Sequence, residues 1–137
     1  MTATNPPAVY DITIYQGATW RLEVLYSYGL DLASVAPVNL SGYSARMQIR
    51  ATRGNGVTQQ APFDSLLGEL STSNGAITLN ADATTGLIRL SQSAAQTALL
   101  QVVPARYDLE LVQTSSGDVI RLMMGDVVIS EEVTLSG

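Results

Sequence analysis

Apolar and polar side chains alternate along much of this chain. Over residues 19–26, Trp20, Leu22, Val24 and Tyr26 fall on one face, and Thr19, Arg21, Glu23 and Leu25 fall on the other. Over residues 43–50, Tyr43, Ala45, Met47 and Ile49 alternate with Ser44, Arg46, Gln48 and Arg50. Successive side chains of a strand point to opposite faces, so a period of two marks a strand buried on one side. The same reading predicts strands over residues 10–15, 66–71, 76–80, 86–90, 106–113 and 119–124, with Gly125 as a bulge before a continuation over 126–130. Turn residues punctuate them at Gln16 and Gly17, at Asn74 and Gly75, and at Ser115, Ser116 and Gly117. Residues 27–42, with Gly29, Pro37 and Gly42, read as a long connection, and residues 51–65 as a polar loop longer than ordinary sheet connections.

One stretch, residues 94–100, reads as helical. Ser93 and Gln96 have the spacing of a capping box, and Pro104 follows the stretch. At about two turns it needs the sheet to hold it. No helix is long enough for parallel crossovers, so the chain is predicted to be all-β and antiparallel, a sandwich or barrel. One domain over residues 10–137 is expected, preceded by an extended arm over residues 1–9 in which Asn5, Pro6 and Pro7 suit no ladder. The alternation predicts a core of Trp20, Leu22, Val24, Met47, Ile49, Leu109, Leu111 and Leu122. Tyr107 follows the helical stretch and opens a strand. It reads either as a tyrosine corner, bonded back to the preceding connection, or as a half-buried aromatic on a strand edge.

Composition narrows the chemistry. The chain has no Cys, no His and no Lys. Serine triads and serine–lysine dyads, thiol catalysis, His/Cys zinc sites and a Walker phosphate loop are thereby excluded. Charged residues make up 14% of the chain, and the net charge is -5 with seven Arg. Those Arg are scattered among acids, which argues against binding a phosphate backbone. Asp108 and Glu110 share one side of a strand, as a glycosidase pair would. The reading preferred here is a solvated strand face on which opposite charges pair across to neighbours such as Arg46 and Arg50. Asp118, Asp126 and Glu131 lack the spacing of a calcium loop. No metal, cofactor or enzymatic activity is expected. The opening MTATNPPAVY has no basic region followed by an apolar run, so no secretory leader is expected, and no apolar run is long enough to span a membrane. Met123 and Met124 must face opposite sides of their strand.

The order of the segments carries a resemblance. "YDITIYQGATWRLEVLY", "NLSGYSARMQIR", "NGAITL", "GLIRLSQSAAQTALL", "ARYDLELV" and "GDVIRLMMGDVVISEEVT" follow one another over residues 10–134. The succession resembles small structural proteins of bacteriophage tails and baseplates, and in particular the immunoglobulin-like N-terminal domain of phage upper baseplate proteins. The resemblance implies an antiparallel immunoglobulin-like β-sandwich of about eight short strands with one short helical turn. It implies a non-enzymatic virion subunit of the tail or baseplate, made in the host bacterial cytoplasm and docked in multiple copies against other phage structural proteins. A capsid decoration protein, a head-tail connector and a binding β-sandwich module are the alternatives. The expected docking elements are the arm, with Asn5, Pro6 and Pro7, and the loop over residues 51–65, with Arg50 and Arg53 at its root.

Overall fold

The structure, a computed structural model, describes residues 7–28, 36–52 and 66–134. Its elements are β1 (Ala8–Val9), β2 (Ile12–Tyr15), β3 (Trp20–Leu25), β4 (Ser27–Tyr28), β5 (Ala36–Pro37), β6 (Tyr43–Ala51), β7 (Leu66–Ser71), β8 (Ile77–Leu79), β9 (Leu87–Gln92), α1 (Ala94–Ala98), β10 (Ala105–Gln113) and β11 (Val119–Ser130). A short 3-10 turn at Ala81–Ala83 joins β8 to β9. The protein is all-β. One sheet has the order β1-β11-β10-β6-β7, with β2 also on β11, and a second has the order β3-β9-β8, while β4 and β5 pair with each other.

The inner faces of the two larger sheets share one core. Ile14, Met47, Ile49, Leu109 and Leu111 enter it from the first sheet, Ile77, Ile88 and Leu90 from the second, and Leu40 and Leu100 from connections. Four of the expected core residues, Met47, Ile49, Leu109 and Leu111, are at most 1% exposed. Trp20, Leu22 and Val24 pack against the core but are only half-buried. They lie on β3, which among the described residues pairs with β9 alone, so none of those residues covers the rest of each side chain.

Leu122 is half-buried too, because the alternation of β11 slips beneath it. Leu109 pairs with Met123 but Glu110 pairs with Arg121, which leaves Leu122 as the extra residue of a bulge. The inward residues of β11 are then Met123, Gly125, Val127 and Ile129. The bulge thus lies at Leu122 and not at Gly125, which pairs in register with Tyr107. β11 is accordingly one continuous strand.

The sheet is not wholly antiparallel. β1 and β2 run parallel to β11, with Ala8 beside Met123 and Ile12 beside Val127. The register is the same on both sides of Tyr10 and Asp11, where the ladder is interrupted. There the Tyr10 N–H donates to the Met124 carbonyl at 2.9 Å, and the Asp126 N–H donates to Asp11 Oδ1 at 2.9 Å. Gly125 lies against this interruption. A Cβ on it would overlap the Tyr10 carbonyl oxygen and stand 2.7 Å from the carbonyl carbon. Ala8 and Val9, expected in a free arm, therefore belong to the sheet, and Ala51, expected in the loop, is a buried residue of β6. Thr52 of that loop is described too, its N–H donating to the Pro104 carbonyl at 2.9 Å, and residues 53–65 lie outside the described residues.

Side-chain hydrogen bonds secure the crossing from β2 to β3. Gln16 Nε2 donates to the Leu100 carbonyl at 3.0 Å, and Gln16 Oε1 accepts from the Glu132 N–H at 3.0 Å. The buried Thr97 of α1 donates its hydroxyl to the Ala18 carbonyl at 2.8 Å and accepts from the Gly17 N–H at 3.0 Å. The capping box forms as expected: Ser93 Oγ accepts from the Gln96 N–H, and the Gln96 side chain accepts from the Ser93 N–H.

Tyr107 follows neither expectation. It is 4% exposed, and its hydroxyl donates to the Tyr10 carbonyl at 2.6 Å, 97 positions earlier in the chain. The bond fastens the interrupted edge to the middle of the sheet. Burial above all, then Asp11 and Tyr10, pushes the Tyr107 phenol up from 10.0 to about 12. A raised folded-state value means that the unfolded chain releases its proton first. The resulting stability is complete below pH 10.0 and drains away as pH climbs towards about 12. Tyr107→Phe should cost about 1–2 kcal/mol at neutral pH by orphaning the carbonyl. It should also flatten the alkaline loss, although Tyr26, raised as well by burial and by Tyr43, retains some of it. Melting curves from neutral to strongly alkaline pH test both effects, and an unaltered alkaline profile would remove Tyr107 from this role.

Candidate functional site

The outer face of the larger sheet gathers more of the charge than any other surface described. Pairing of β6, β10 and β11 sets its side chains in three rows. Arg46, Glu110 and Arg121 form one row, Gln48, Asp108 and Met124 the next, and Arg50, Arg106 and Asp126 the third. Strand alternation, shifted on β11 by the bulge at Leu122, puts these residues outward, since their neighbours Met47, Ile49, Leu109, Leu111 and Met123 fill the core.

Opposite charges meet across the rows and along the diagonals. Arg46 Nε donates to Glu110 Oε1 at 2.8 Å. Arg121 stands 3.5 Å from Asp108, and Arg106 stands 3.5 Å from Asp126. Gln48 Nε2 donates to Glu69 on β7 at 2.7 Å, and its Oε1 accepts from both Nε and Nη2 of Arg50, at 3.1 and 2.7 Å. Arg50 and Arg106 are directly opposite, which sets two like charges side by side. Such a pair favours an acid beside it, and Asp126 stands there next to Arg106.

A depression of about 320 Å³ opens here, lined by Gln48, Arg50, Arg106, Asp108, Arg121 and Met124, with Tyr107 at its base. The Asp108 carboxyl is pushed above the usual carboxylate range by burial and then by Glu110, with Arg121, Arg46 and Arg50 pulling the other way. Asp108 and Glu110 each face an arginine, an arrangement of paired charges and not of a free acid beside a free base. Exposed ion pairs of this kind are worth about 0–1 kcal/mol each. Breaking any one of them therefore costs little. Among the described residues no group of three or more carboxylates is placed to hold a metal ion.

Of the expected docking residues, Arg50 lies on this face and Pro7 is half-buried just ahead of β1. Asn5, Pro6 and Arg53 lie outside the described residues. Arg106 and Arg121 were not singled out by the sequence pattern, because alternation gives the face of each strand but not which residues stand side by side. Met124 faces outward into the depression while Met123 is buried, as their adjacency requires. No helix among the described residues is long and apolar enough to cross a membrane. No protein-family model matches the chain, and no curated protein matches it either.

Proposed function

We propose that the chain is a non-enzymatic structural component of a tailed-bacteriophage virion, placed in the tail or baseplate, that works by docking against neighbouring protein subunits. The observation that carries this reading is strand order. The sheet β3-β9-β8 against β6-β10-β11, with α1 in the connection from β9 to β10, supports the reading, because an immunoglobulin-like sandwich would give the successions B-E-D and C-F-G. That is the architecture implied by the segment succession of phage baseplate proteins. β1 and β2 beside β11 complete the larger sheet at its edge. The outer face of that sheet, with its exposed ion pairs and the Arg50–Arg106 pair, is the surface on which other virion proteins dock. No cofactor, nucleic acid or membrane enters the proposal. Its subunits stand in repeated copies, made in the host cytoplasm and retained in the particle.

Purified particles from a host strain carrying the gene test this. Peptide mass spectrometry should find the chain in intact particles, and a density map should place it in the tail. Complete, infective particles formed without it would overturn the proposal.

A further inference from the structure

We infer that two copies of this chain associate edge to edge through β3, extending β8-β9-β3 into a continuous six-stranded sheet across a two-fold axis. The inference does not depend on the virion reading. Among the described residues β3 pairs with β9 alone, and none of them bonds to the backbone groups on its other side. An open edge of this length is a template for another strand.

Hydrogen bonds fix which groups are open. The Tyr26 N–H donates to the Gly86 carbonyl, and the Ser91 N–H donates to the Ala76 carbonyl. In an antiparallel ladder, residues alternate between those whose N–H and C=O both point to the partner and those whose groups both point away. The first bond therefore turns Trp20, Leu22 and Val24 towards β9. The second turns Arg89 and Ser91 of β9 towards β8, which leaves Leu90 and Gln92 facing β3, in agreement with the first. The open groups of β3 are those of Arg21, Glu23 and Leu25.

One register of a second copy of β3 on this edge sets opposite charges face to face. An odd slip would turn inward side chains outward. Centring the axis on Glu23 sets two carboxylates opposite each other, and centring it on Arg21 sets two guanidiniums opposite each other. Centring it on Leu22 sets Arg21 opposite the Glu23 of the second copy, and the reverse by symmetry. Both of these residues have open backbone groups, so each opposite-charge pair is also a hydrogen-bonded pair. Leu22 then meets Leu22, and Trp20 meets Val24, on the inner face. These are the core residues that β3 leaves half-buried. Glu23 already accepts from Arg89 through Oε2 at 2.7 Å, and its other oxygen can accept from Arg21 of the second copy.

Sedimentation equilibrium of the full chain up to about millimolar protein should show a monomer–dimer equilibrium, and Arg21→Glu should weaken it roughly tenfold by setting acids opposite acids. Arg21 is exposed on the outer face, so the variant should melt like the parent chain. Residue-resolved hydrogen exchange supplies the second readout. The amides of Arg21 and Glu23 should exchange quickly in dilute solution and become protected as the dimer forms, while those of Leu22 and Val24 stay protected throughout. A chain that remains monomeric at the highest concentration would overturn the inference. So would a dimer that leaves the Arg21 and Glu23 amides unprotected, or one that Arg21→Glu leaves as tight.

Discussion

Gly125→Ala should lower the stability of the protein by about 3 kcal/mol, at the upper end of what an inserted methyl group costs in a packed site. The new Cβ would overlap the Tyr10 carbonyl oxygen, and that oxygen cannot step aside freely. It accepts the Tyr107 hydroxyl at 2.6 Å, and the Tyr10 N–H is bonded to Met124 on the same strand as Gly125. Relief requires β1 and the start of β2 to move off β11. Ile12 and Ile14, both buried, sit on β2, and each loses roughly 1.5–3 kcal/mol if withdrawn from the core. The glycine's role here is closeness of approach, not an unusual backbone angle. Urea denaturation measures the loss against Val128→Ala, an exposed change on the same strand. Equal midpoints for the two variants would mean that the edge strand accepts a methyl group at this point.

Leu109→Ala should cost about 2–5 kcal/mol through lost transfer energy and the cavity left behind. Leu109 is fully buried at the middle of β10, between Met47 on one side and Met123 on the other. Both methionines are flexible enough to lean into part of the space, which favours the middle of that range. Gln48→Ala, on the outer face, should stay within about 0.5 kcal/mol. Thermal melting of the pair separates them, and similar shifts would mean that Leu109 is not central to the core.

Local rules made much of this fold readable. The alternation over residues 43–50 becomes β6, the Asn74 and Gly75 signal becomes a turn in which Asn74 Oδ1 accepts from the Ser71 and Ala76 amides, and Ser93 and Gln96 cap α1 reciprocally. What the pattern missed is non-local. The bulge at Leu122 arises from a register between two strands, and a run such as Val119–Met124 carries no local mark of it. The parallel edge depends on where β2 is held ahead of the Gln16 and Gly17 turn, and that turn is fixed by bonds to Leu100, Glu132 and Thr97 far along the chain. Tyr107 reaches a carbonyl that its neighbours in sequence do not suggest. For the outer face, the charged residues were legible and their pairing was not, because Arg46–Glu110 and Arg121–Asp108 require the ladder to be known.

The edge formed by β1 and β2 also governs when the molecule can finish folding. Its partner on β11 lies 115 positions later, as the Asp11 to Asp126 bond records. A nascent chain therefore carries Ile12 and Ile14 uncovered until nearly all of the domain has left the ribosome. Closing a loop of that span is entropically late, so docking of this edge belongs to the slow end of the timescale for small β proteins, milliseconds to seconds. During that interval β11 presents an open ladder that strands from other nascent chains can occupy, and crowding of many translating ribosomes on one message raises that hazard.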